Sequence, residues 1–180
     1  FLAGKFAGMQ PFALSATLTF EQTYSEIEGD SAAVAELAAV LSSLADLPIR
    51  QSLAVTGSVN QLGEVQPIGG VNEKIEGFFE SCKRRGLTGK QGVIIPARNI
   101  KHLALSREVV TAVEEGRFSV YGVDTADQAL ELLIGVPAGE RGAEGTFPPE
   151  SIYGRTAARL EEMAQIVATW GEAEEDNRVK

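Results

Sequence analysis

From Ala13 to Phe20 the chain alternates, with Leu14, Ala16, Leu18 and Phe20 set against Ala13, Ser15, Thr17 and Thr19. That period of two predicts a strand. Residues 24–30 are polar and contain Gly29, which reads as a loop. The period then changes. Between Ser31 and Asp46, Val34, Leu37, Val40, Leu41 and Leu44 recur at helical spacing, and Pro48 closes the helix. Arg50 to Val59 reads as a second strand with Leu53 and Val55 on one face. Gln61–Val65 reads as a turn and a short strand. Pro67 and Gly69-Gly70 then lead into a helix over Val71–Arg85. Its buried face carries Ile75, Phe78, Phe79 and Cys82, and Gly86 and Gly89 stop it. Gln91 to Ile95 is a short apolar run closed by Pro96, the pattern of a buried strand. Val109–Glu114 reads as a helix, Phe118–Val123 as a strand, and Thr125–Ile134 as a helix capped by Asp124 or Thr125.

This order of strands and helices predicts a layered α/β or α+β domain. Residues 135–150 hold three Pro and four Gly, so a linker or surface loop is expected there. Ser151–Trp170 reads as one more helix, and residues 171–180 as an acidic, frayed tail.

Length and composition narrow the classes. A chain of 180 residues can bury one real core. No apolar run is long enough to span a bilayer. The opening Phe1-Leu2-Ala3-Gly4-Lys5 makes a poor signal peptide, because Gly4, Lys5, Gly8, Gln10 and Pro11 interrupt any apolar core. The first residue is not Met, which reads as a piece of a longer chain. Cys82 is the only cysteine, so no intrachain disulfide can form and a reducing compartment fits. A net charge of −9 repels phosphate backbones and disfavours non-specific nucleic-acid binding.

The candidate chemistry lies at two helix starts. Ser31 sits in Glu28-Gly29-Asp30-Ser31-Ala32, and Lys74 in Gly69-Gly70-Val71-Asn72-Glu73-Lys74. A serine hydroxyl needs a base to take its proton, and a neutral lysine amine can serve. An ordinary amine, with a pKa near ~10.4, is only about 0.1% neutral near pH 7.5, so such a site must favour the neutral form by about 3–4 kcal/mol. Burial would do this, and so would the positive end of the helix that begins near Val71. Unpaired N–H groups at the helix behind Ser31 can bind an oxyanion. Gly29 allows the backbone close to a substrate. Thr56, before Gly57, is placed to orient the Lys74 amine. Taken singly, these residues have plainer readings. Ser31 or Asp30 caps a helix, Lys74 faces solvent, Thr56 is a strand residue and Gly69-Gly70 is a turn.

In order along the chain, Glu28-Gly29-Asp30-Ser31-Ala32, Thr56-Gly57-Ser58-Val59, Gly63 through Lys74 (Gly-Glu-Val-Gln-Pro-Ile-Gly-Gly-Val-Asn-Glu-Lys), Val93-Ile94-Ile95-Pro96 and Asp127-Gln128-Ala129-Leu130 resemble the proteolytic domain of Lon-family proteases. The Gly-Asp-Ser-Ala form is similar to the B-type branch rather than to the branch with Gly-Pro-Ser-Ala-Gly. The resemblance spans about residues 1–135. It implies the α/β Lon peptidase fold, similar to a ribosomal protein S5 domain 2-like architecture, here with an extra C-terminal helix. It implies a Ser–Lys dyad endopeptidase with Ser31 as nucleophile and Lys74 as general base. Gly29, Asp30, Thr56 and Gly70 would then be supporting or oxyanion residues. It further implies a homohexameric ring that degrades unfolded proteins or peptides; a cytoplasmic location is expected, with no nucleic-acid partner on the grounds of charge and no membrane partner for want of a spanning apolar run, although archaeal B-type members carry membrane segments. No cofactor or metal is expected in this chain. ATP and Mg would be used by an upstream AAA+ domain, and no Walker A sequence occurs here.

Asp30 has two readings. It can cap the helix, or it can pair with Lys74 and hold the amine protonated in a resting state. A different functional class stays open, a non-catalytic Lon-like module for ring assembly or partner binding, as in Lon-like domains of some DNA-repair ATPases. A small-molecule kinase of related fold would need several glycines at a helix start, whereas residues 25–35 offer only Gly29. A Cys82–His102 hydrolase is the weakest alternative, because Cys82 falls on an apolar helix face.

Overall fold

The computed structural model describes residues 1–6, 14–19 and 29–178, with side chains to residue 169. In chain order the elements are α1 (Leu2–Lys5), a 3-10 turn (Asp30–Ala32), α2 (Ala33–Ala45), β1 (Leu53–Val55), β2 (Ser58–Val59), β3 (Val65–Gln66) and α3 (Val71–Arg85). There follow β4 (Gly92–Pro96), a 3-10 turn (Ala97–His102), α4 (Arg107–Glu114), β5 (Ser119–Val123), α5 (Ala126–Ile134) and α6 (Ile152–Arg178). β1, β4 and β5 form a parallel sheet with β4 in the middle, and β2 and β3 form a separate antiparallel hairpin.

The central strand explains the layering. Every residue of β4 is buried, as its unbroken apolar run predicts. Successive side chains point to opposite faces. Ile94 therefore packs into one core with Leu37, Leu41, Leu130 and Leu133 from α2 and α5, and with Ile152 and Tyr153 from α6. Val93 and Ile95 pack into a second core with Val71, Ile75 and Phe79 from α3 and Val109 and Ala112 from α4. Helices thus cover both faces of a parallel sheet, which is an α/β architecture.

The first core needs residues beyond Gly135. Ile152, Tyr153, Ala157 and Leu160 bury one stripe of α6, and Ala138 joins them from the preceding loop. That loop is strapped down. Ile152 and Tyr153 N–H groups donate to the carbonyls of Pro137 and Ala138, and the Ala138 N–H donates to Glu131. Phe6 is buried edge-on against Phe147 and Tyr153. Lys5 lies over the Tyr153 ring and bonds Asp127 at 3.0 Å, while the Tyr153 hydroxyl donates to the other Asp127 oxygen. Burial, and then the Asp127 bond, push the Tyr153 pKa up, so the phenol remains a donor.

Three sequence expectations are corrected, and one element was not foreseen. Residues 14–19 form no strand; Leu14 packs on the first core, but residues 15–19 are exposed and no described strand runs beside them. Alternation makes a strand only where a neighbour accepts the backbone bonds. Residues 13, 20 and 24–28 lie outside the described set. The strand expected over Arg50–Val59 is two strands, divided at Thr56-Gly57. There the backbone leaves the sheet after the Thr56 N–H donates to the Ile94 carbonyl, and Gly57 donates instead to the Ser31 carbonyl. The short helix α1 has no counterpart in the pattern reading. The backbone of α6 stays helical to Arg178, where a frayed tail is expected from residue 171. At α5 the choice of cap resolves to Thr125, in a reciprocal capping box with Gln128.

Candidate active site

Ser31 is presented by the 3-10 turn that opens α2. The turn is entered through Gly29 at φ 95°, ψ 155°, a region essentially closed to residues with a Cβ. Three bonds then fix the turn. The Ser31 carbonyl accepts from the Gly57 N–H at 2.8 Å and from the Thr56 hydroxyl at 3.2 Å. The Val34 N–H donates to the Gly57 carbonyl at 3.2 Å. Gly57 is required for this approach. A Cβ there would lie 2.9 Å from Val65 and 3.3 Å from Val34.

Lys74 stands in the first turn of α3. Its helix begins at Gly70, whose left-handed backbone (φ 65°, ψ 29°) turns the chain into the helix without a side-chain cap. The two segments converge. Lys74 Nζ lies 2.8 Å from Ser31 Oγ and 3.3 Å from Thr56 Oγ1. Thr56 is 7% exposed and touches both partners, through the Ser31 carbonyl and the Lys74 amine. A pocket of about 270 Å³ opens on this group. Apart from Ser31, Thr56 and Lys74, its walls are alanine and valine, including Ala32, Ala35 and Val93.

The other expected residues fall out differently. Gly29 and Gly70 occupy positions that their backbone angles demand. The side chain of Asp30 is exposed, does not cap the turn, and makes no ion pair with Lys74; both readings of that carboxylate are corrected. The reason is direction, since Lys74 reaches inward to the two hydroxyls while Asp30 faces solvent. Of the two devices that could favour a neutral amine, burial is not in place, because Lys74 is exposed in this chain. The Ala33 and Val34 N–H groups are already taken by the Asp30 and Gly57 carbonyls. The 3-10 bonding of the turn also engages the Ala32 N–H with the Gly29 carbonyl, so the Asp30 and Ser31 amides are the candidate oxyanion donors at this turn.

Cys82 and His102 cannot work together. Cys82 sits in the last turns of α3, whereas the His102 carbonyl is bonded to Asn72 in the first. Ten residues of helix separate the two sites by about 15 Å. Burial raises the Cys82 pKa, only partly offset by Arg85, which suits an inert packing thiol.

Pattern reading missed Gly57 and Asn99 as supports of the site. Gly57 left a signal, a glycine directly after a strand. Asn99 left none, since an asparagine in a turn after Pro96 is an ordinary turn residue until its burial is seen.

The fold is an α/β domain that brings a serine hydroxyl and a lysine amine to within 2.8 Å of each other. The model of the Lon protease (S16) C-terminal proteolytic domain family matches residues 25–135. A Lon protease homolog of Escherichia coli strain K12 is 58% identical over 134 residues, covering 74% of this chain and 23% of that protein. One from Haemophilus influenzae strain Rd is 50% identical over 150 residues, covering 83% of this chain and 25% of that protein. An archaeal Lon protease of Thermococcus kodakarensis is 43% identical over 115 residues, covering 64% and 16%. The chain belongs to the Lon protease family, in its C-terminal proteolytic domain. It spans about a quarter or less of the length of these relatives. Among the described residues, no helix is long and apolar enough to cross a membrane.

Proposed function

We propose that this domain hydrolyses peptide bonds with Ser31 as nucleophile and Lys74 as general base. The observation that carries the reading is the 2.8 Å separation of Lys74 Nζ and Ser31 Oγ, at a surface pocket of about 270 Å³. A neutral Lys74 amine takes the Ser31 proton as Oγ bonds to the substrate carbonyl carbon. The resulting ammonium gives that proton to the leaving nitrogen as the C–N bond breaks, leaving an ester on Ser31. The amine then takes a proton from the water that attacks the ester; as the C–Oγ bond breaks, the ammonium returns that proton to Ser31 Oγ, and the acid product leaves. Free amides at the 3-10 turn receive the oxyanion in both halves.

The exposed Lys74 gives the substrate a second role. A peptide seated over the pocket covers the amine, and desolvation favours the uncharged form of an amine. The alanine and valine walls suit an uncharged side chain next to the cleaved bond. On the family likeness we extend the reading to a cytoplasmic homo-oligomeric ring, a hexamer, acting on unfolded proteins or peptides. ATP and Mg would act in a part of the assembly outside these residues.

Cleavage of casein or a fluorogenic peptide by the intact protein tests the reading. Ser31→Ala and Lys74→Ala should each lower kcat by about 10³-fold or more, and the double variant should lose little beyond either single one. Full activity in either single variant rejects the assignment. An inactive parent protein would favour the non-catalytic module.

A further inference from the structure

We propose that Asn99 is a positioning residue for the Ser31–Lys74 pair, acting through the loop that starts α3; the inference rests on the dyad reading above. Asn99 is 4% exposed, at the turn that follows β4. Its side chain makes two opposed bonds to one residue. Asn99 Oδ1 accepts from the Ile68 N–H at 3.0 Å, and Asn99 Nδ2 donates to the Ile68 carbonyl at 2.9 Å. A donor and an acceptor engaged together, as in a pair of antiparallel strands, fix both the position and the rotation of the Ile68 peptide groups.

Ile68 is two residues before Gly70, and the Lys74 N–H donates to the Gly70 carbonyl at 3.1 Å. The amide of Asn99 thus holds the strand-to-helix loop on which the amine is aimed. The other half of the site hangs from the same strand. The Thr56 N–H donates to the Ile94 carbonyl of β4 at 3.0 Å, and Thr56 in turn holds Ser31. β4 and its extension therefore carry both halves, and Asn99 is the joint on the lysine side. Asn72, whose Oδ1 accepts from the Ala104 N–H, and Glu76, which accepts from the Ser106 N–H, also tie α3 to this segment. Both act from within the helix, past the point where its start is set.

The test compares Asn99→Ala, Asn99→Asp and Asn99→Ser with the parent in the intact protein. Asn99→Asp keeps the size and the acceptor for the Ile68 N–H but replaces the donor to the Ile68 carbonyl with an oxygen. Asn99→Ser leaves one small hydroxyl and carries the test if the other two fail to fold. Folding is checked by circular dichroism and melting, and kinetics are read well below the melting temperature. A misplaced base should cost about 10–100-fold in kcat, with KM changed less than about threefold. Phosphonylation of Ser31 by a fluorophosphonate probe, in which Oγ bonds to phosphorus and fluoride leaves, should slow by a similar factor, because it needs the pair but not a bound peptide. Folded Asn99 variants with kcat and phosphonylation rate within about threefold of the parent, whatever their melting temperature, overturn the proposal and leave Asn99 a packing residue. The parent reading fails separately, if Ser31→Ala or Lys74→Ala stays active.

Discussion

The two halves of the site are held by different kinds of bond. On the serine side the supports are mainly main-chain groups: Gly57 N–H to Ser31 C=O, and Val34 N–H to Gly57 C=O. On the lysine side the loop and the first turns of α3 are held largely by side chains, namely Asn99, Asn72 and Glu76. Main-chain bonds survive most substitutions, whereas a side-chain amide can be deleted by one. Ser31 is thereby the robust half and Lys74 the tunable half. Asp30 lies outside both sets, and Thr56 belongs to both.

Thr56→Val should therefore break the comparison hardest among the supporting residues. Valine keeps the shape but removes the hydroxyl that donates to the Ser31 carbonyl and lies 3.3 Å from Lys74 Nζ. A lost bond of this kind costs about 1–3 kcal/mol, so kcat should fall about 10–100-fold. Thr56→Ser keeps the hydroxyl and should recover most of the loss; steady-state peptide cleavage reads both. Gly57→Ala probes the main-chain side. The added methyl meets Val65 and Val34, and overpacking of this size costs about 1–3 kcal/mol. It should show first as a lower melting temperature by calorimetry, with kcat falling less than in Thr56→Val. An equal loss of kcat in an undiminished fold would make the serine side as tunable as the lysine side.

How legible was this in the sequence? The elements that bury themselves were read with little error. β4 is an unbroken apolar run, and α3 matches its expected bounds because Gly70 and Gly86 punctuate it. The site pair was legible because Ser31 and Lys74 each follow glycine at a helix start, and because five ordered motifs resemble one family. Elements defined by their neighbours were not legible. Residues 14–19 carry a strand's alternation without a described partner strand. The break at Gly57 depends on Val34 and Val65, distant in sequence. Residues 151–170 read only as one more helix, but its Ile152 and Tyr153 complete the core with α2 and α5. Asn99 reads as a turn residue, since its partner Ile68 lies 31 positions away.

Asp30→Asn sharpens the comparison from its weakest end. From sequence, a carboxylate next to the nucleophile should restrain Lys74, and its removal should raise basal cleavage. In the structure Asp30 is exposed and does not pair with the amine. What is left is interaction through water, worth about 1 kcal/mol or less at 4 Å and screened over about 8 Å at physiological salt. Peptide cleavage by Asp30→Asn should then stay within about twofold of the parent at 0.15 M salt. Any larger difference should appear only at low ionic strength and shrink as salt is added. A several-fold, salt-independent rise would mean that the carboxylate reaches the amine in a state other than this one. The serine side would then carry a side-chain control of its own, and the contrast between a robust Ser31 and a tunable Lys74 would not hold.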